Sequence, residues 1–97
     1  MNGDLETDNL DVAQVRIEIE EIDRALIALM AQRVGVARRL GRAKRTAGLP
    51  TLDPAREAVV VRRAGTLARD FGLPAEDVRE IFWHLIGMCR RAQMEGG

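Results

Sequence analysis

Lys44 is the only lysine in a chain whose lysines and arginines total 15, and it falls where a long amphipathic segment would end. Eleven residues earlier, Arg33 interrupts an otherwise apolar row. Nine residues later begins Asp53-Pro54-Ala55-Arg56-Glu57, and close to the end Gln93 lies on the apolar side of the last segment. A cation in a greasy seam is costly unless an anion meets it. The combination points to a small, negatively charged ligand held between helices.

Charge and composition narrow the field further. The formal net charge is zero, which gives no overall pull toward nucleic acid or membrane. Met1 to Asp23 nevertheless carries eight acids against Arg16 alone, while Arg24 to Arg69 carries eleven cations against Asp53 and Glu57. A basic middle between acidic ends suits an anionic substrate focused locally. Arg38, Arg39, Arg42 and Arg45 fall off the seam, and one Trp with two Phe makes no stacking platform, so a solvated basic face is expected there rather than a nucleic-acid patch. With Cys89 and His84 each single of their kind, no intrachain disulfide and no metal cluster of these ligands can be built. No stretch approaches a membrane span and the first ten residues lack the apolar core of a secretory signal. A soluble, cytoplasmic protein is the expectation.

The elements that must position these residues are helical. Residues 1–10 read as a disordered acidic segment and 11–97 as one helical domain. From about Asp11, Val12, Ile19, Leu26, Arg33 and Leu40 recur every seven residues, and Val15, Ile22, Leu29, Val36 and Ala43 fill the second apolar position. That is a heptad seam on one long helix, capped by Thr7, Asp8 or Asp11 and ended by Gly48 and Pro50. Asp53 as N-cap and Pro54 at the first position start a second helix, with Ala55, Val59, Leu67 and Phe71 as its apolar side and Gly72 as its stop. Pro74 begins a third, whose stripe is Val78, Ile81, Phe82, Leu85, Cys89 and Ala92. Trp83 and His84 read as packing residues, and Gly41 as a place of close helix approach or ligand room. The predicted fold is all-α, one long and two shorter helices.

A helix of about 35 residues runs roughly 52 Å, more than a domain of this size can cover. Two chains with their long helices packed together, an intertwined homodimer, is the economical solution. Arg33 and Lys44 differ by only about 20° around the helix and roughly 16 Å along it, so they can bracket a small molecule; Arg16 lies about 42 Å from Lys44. An antiparallel partner helix crossing near Leu26 and Ile27 would bring its own Arg16 level with that gap. The site would then be shared across a twofold axis.

Val15-Arg16 through Asp23, Arg33 within Ala-Gln-Arg, Gly41-Arg-Ala-Lys44, Asp53-x-x-Arg56-Glu57 and Cys89-x-x-x-Gln93 together resemble the all-helical chorismate mutase family, from about Val12 to Gln93. The resemblance implies an intertwined homodimer that rearranges chorismate to prephenate, on the route to phenylalanine and tyrosine, without a cofactor. It also implies roles. Arg33 and the second subunit's copy of Arg16 would each clamp a substrate carboxylate. Lys44 and Gln93 would donate to the ether oxygen, where negative charge develops as the C–O bond breaks. Glu57, with the backbone at Asp53, would accept from the ring hydroxyl, and Arg56 would steady Glu57 or the enolpyruvyl side. Cys89 stands where the family's bacterial pattern often has serine, which weakens or removes a hydrogen bond to a carboxylate.

Each residue also has a plainer reading. Arg33 can set register in a dimer seam, Arg16 can be a solvated charge, and Lys44 a cation near a helix C-terminus. Asp53 can be an N-cap only, Arg56 with Glu57 a surface pair, and Gln93 a frayed end. Against the mutase stand an isochorismate pyruvate lyase, a 4-amino-4-deoxychorismate mutase, and a non-catalytic helical dimer that regulates a partner enzyme of the shikimate pathway. The Asp53-x-x-Arg56-Glu57 acceptor favours a mutase over the lyase but does not separate a hydroxyl from an amine.

Overall fold

A computed structural model describes residues 11–95. They form three helices, α1 (Val12–Thr46), α2 (Pro54–Asp70) and α3 (Ala75–Met94); the described residues contain no strand. The chain divides into two units, Met1–Ala31 and Gln32–Gly97. The expected disordered segment and the candidate caps Thr7 and Asp8 lie outside the described residues.

Local chemistry accounts for the helix ends. Asp11 caps α1, its carboxylate accepting from the Ala13 N–H at 3.0 Å. At the other end Gly48 takes a φ of +72°, open to glycine without a Cβ clash. Leu49 N–H then bonds Lys44 C=O at 2.8 Å and Gly48 N–H bonds Arg45 C=O at 3.1 Å, a Schellman closure. Gly72, at φ +73°, closes α2 in the same way, through Leu73 to Ala68 and Gly72 to Arg69. Asp53 caps α2 by accepting from Arg56 N–H at 3.1 Å, with Pro54 at the first helical position. Pro74 is the N-cap of α3 rather than its first residue, and gives it no side-chain cap bond.

The core of the second unit keeps Cys89 and Ala92 of the stripe expected on α3 but otherwise favours small residues over the large ones expected. On α2 the buried residues are Val61, Ala64, Gly65 and Ala68, while Leu67 and Phe71 are 49% and 78% exposed. On α3 they are Ile86, Gly87, Cys89 and Ala92; Ile81, Trp83 and His84 are on the surface. Small residues let helix backbones approach closely, so α2 turns its small side inward. α1 likewise buries only Ala37 and Gly41. A Cβ on Gly41 would run into the backbone of Gln93, so this glycine marks a close approach to the end of α3.

Candidate active site

Gly41 and the α1 terminus bring Lys44 up to α3. Its ammonium donates to Gln93 Oε1 at 2.9 Å and to the Thr51 carbonyl at 3.0 Å. With an ammonium on one side, the Gln93 amide must turn its oxygen that way; the reverse would set NH2 against NH3⁺. The amide NH2 is thereby left to donate elsewhere. Arg45 completes the anchoring by donating to the Gln93 carbonyl at 2.8 Å. Three turns back on α1, Arg33 Nη1 meets Cys89 Sγ at 3.0 Å, with the thiol buried.

These groups surround one cavity of about 370 Å³, in the range of small-ligand sites. Its polar wall comprises Arg33, Lys44, Thr51, Asp53, Arg56, Glu57, Arg63, Cys89 and Gln93, and its apolar wall Val36, Ala37, Leu40, Val60 and Ile86. Arg33 and Lys44, separated by three turns of α1, therefore open onto the same space. Of the residues singled out from sequence, Arg33, Lys44, Asp53, Arg56, Glu57, Cys89 and Gln93 meet here. Arg16 does not line the cavity; it is exposed on α1 within the first unit.

One expected pairing is corrected. Glu57 is not steadied by Arg56 but by Arg90 of α3, which forks onto it with Nη2 to Oε1 at 2.7 Å and Nε to Oε2 at 2.9 Å. Adjacent helical residues point about 100° apart and do not face each other, so Arg56 is poorly placed to grip its neighbour. The Arg90 hydrogen bonds hold the Glu57 carboxyl below the usual carboxylate range. Burial pushes the other way, the positive charges of Arg90 and Lys44 reinforce the lowering, and Asp53 opposes it. Glu57 is thus an ionised, acceptor-only group at neutral pH.

Sequence reasoning missed Arg63, Thr51 and Arg90. Arg63 was findable: it lies seven residues after Arg56 and so on the same face of α2. Thr51 contributes a backbone carbonyl, and Arg90 acts across two helices; neither leaves a local trace. Among the described residues no group of His, Cys, Asp and Glu could hold a metal ion, and no helix is long and apolar enough to cross a membrane.

Fold and site together define an all-helical protein with a cavity walled by the cations Arg33, Lys44, Arg56 and Arg63 and by the carboxylates of Asp53 and Glu57, suited to a small ligand with anionic groups. Comparison with known proteins agrees. The chorismate mutase type II family model matches residues 15–94, and the chain belongs to that family. It is 36% identical over 80 residues to a 3-dehydroquinate dehydratase of Pyrobaculum aerophilum, a match covering 82% of this chain and 23% of that protein. It is 31% identical over 75 residues to a chorismate mutase of Methanocaldococcus jannaschii, covering 77% of this chain and 76% of the relative. To a 4-amino-4-deoxychorismate mutase of Streptomyces venezuelae it is 28% identical over 85 residues, covering 87% and 82%. The chain thus spans less than a quarter of the first relative and most of the other two.

Proposed function

We propose that this chain is a chorismate mutase that works in the cytoplasm as a homodimer with shared sites, rearranging chorismate to prephenate for phenylalanine and tyrosine synthesis. The observation that carries the reading is the convergence of Arg33, Lys44, Glu57 and Gln93 on one cavity. Arg33 clamps one carboxylate of the substrate in this scheme, and Arg16 lent by a second copy clamps the other. Lys44 and the free NH2 of Gln93 donate to the ether oxygen as the C–O bond breaks, stabilising charge that exists mainly in the transition state. Glu57 accepts from the ring hydroxyl. The clamps hold the substrate in its compact reactive shape, and the scheme uses no nucleophile, proton relay or cofactor.

The dimer is supported by the heptad row of α1. Val12, Val15, Ile19, Ile22, Leu26, Leu29, Val36 and Leu40 are all between 41% and 62% exposed, an apolar length that a second α1 would cover. The test is loss of chorismate absorbance with purified protein and identification of prephenate as product. Chorismate left unchanged would overturn the reading. The shared site is tested by mixing Arg16→Ala and Lys44→Ala chains: each heterodimer regains one whole site and part of the activity, and inactivity of verified heterodimers rejects sharing.

A further inference from the structure

We propose that Arg90 is a positioning residue that orients and neutralises Glu57, so that the site selects a neutral hydroxyl over an ammonium where Glu57 meets the substrate. This rests on the mutase reading above and deepens it, because that reading leaves the C4 substituent open.

The geometry is a two-pronged fork between helices. Arg90 reaches from α3 to both oxygens of Glu57 on α2, at 2.7 and 2.9 Å. Glu57 lines the cavity and Arg90 does not, so the guanidinium acts through the carboxylate. The Glu57 side chain is 19% exposed and that of Arg90 36%, which places the fork on the cavity's shoulder with only partial access to water. Forked guanidinium–carboxylate pairs fix orientation as well as charge. Each carboxylate oxygen keeps a further lone pair, so the pair still accepts a hydroxyl hydrogen.

What the pair lacks is spare negative charge. Arg90 cancels that of Glu57, and Lys44 acts on the same carboxylate from α1; Asp53, before α2, works in the opposite sense. Arg33, Arg56 and Arg63 add further cations around the cavity, against the one further carboxylate of Asp53. An ammonium brought to Glu57 would meet like charges, and such juxtaposition is strongly disfavoured. A hydroxyl pays no such penalty.

The experiment compares kcat/KM for chorismate and its 4-amino-4-deoxy analogue near neutral pH, where the amine is protonated. The wild type should favour chorismate by about tenfold or more. Arg90→Met should shrink that ratio about tenfold and shift the acidic limb of the chorismate pH profile upward, because Glu57 loses the partner that keeps it ionised. A pair that merely ties α2 to α3 would lower both substrates in parallel and leave the ratio and the limb in place, which overturns the proposal. Should Arg90→Met not fold, Glu57→Gln decides: with Arg90 uncompensated the ratio should widen, and an unchanged or narrower ratio overturns the proposal. Wild-type protein that turns over both substrates equally also overturns it, yet leaves the mutase reading intact. Failure to turn over chorismate at all strikes the mutase reading itself.

Discussion

Two glycines of α1 should respond to the same substitution with opposite signs. Gly41 is buried against α3; an added Cβ would stand 2.9 Å from Gln93 Cα and 3.0 Å from its carbonyl carbon, and nearer still to the oxygen. The obstacle is backbone, so α3 must move rather than a side chain rotate. Overpacking of this kind costs about 1–3 kcal/mol, against about 1 kcal/mol gained from the helix propensity of alanine. The net is a loss of about 1 kcal/mol, or roughly 4–8 °C in Tm for a chain of this length. Gly35 has nothing within 4 Å of the same added atom, so Gly35→Ala keeps the propensity gain and should raise Tm by roughly 4–8 °C. The displacement at Gly41 also shifts Gln93, whose carbonyl and amide are held by Arg45 and Lys44. Turnover should therefore fall in Gly41→Ala, by up to about 10²-fold for a misplacement near 1 Å, while Gly35→Ala keeps its activity. Thermal unfolding by circular dichroism at matched protein concentration, with chorismate turnover, makes the comparison. A Gly41→Ala protein as stable and as active as Gly35→Ala would refute the close-approach reasoning.

Further outcomes follow from the same geometry. Lys44→Ala should lose about 10²–10³ in kcat, the usual effect of removing a donor to developing charge, and Arg33→Ala most of its turnover, both with helicity retained on circular dichroism. Asp53→Ala should destabilise by about 1 kcal/mol through loss of the α2 cap, and Asp53→Ser by much less; a kcat drop shared by both variants would reveal a ligand contact beyond capping. Glu57, with its folded pKa lowered, contributes stability that is present above the ordinary carboxylate range and disappears as pH falls through its depressed value. Acid titration of unfolding should show this loss, and Glu57→Gln should flatten it. Gln93 is an amide that donates at any pH, so turnover traced to it should not fall between about pH 5 and 8; a steep decline there would count against its role.

Much of this was readable from residue order because the signals are local. Asp53-Pro54, Gly48 and Gly72 punctuate the chain by backbone chemistry alone, and the heptad row marks α1. That Arg33 and Lys44 line one cavity was legible for a similar reason: they share a face of one helix, which fixes their common direction before any packing is known. The inward face of α2 was not, because hydrophobic reading favours large residues whereas helix approach favours small ones. Ala64, Gly65 and Ala68 won the interior, leaving Leu67 and Phe71 outside. Arg90 escaped because its partner is 33 residues away, and only the packing of α3 on α2 brings them together.

The way the charged groups are moored bears on how the site stays open. Lys44 leans on Thr51 and Gln93, and Glu57 on Arg90, so the ammonium and the carboxylate are each tied to a partner of their own. Left untethered, these opposite charges of one cavity wall would be free to turn toward each other instead of toward a ligand. Of the three ammonium hydrogens two are already engaged, and the third can face an arriving anion with no bond first broken.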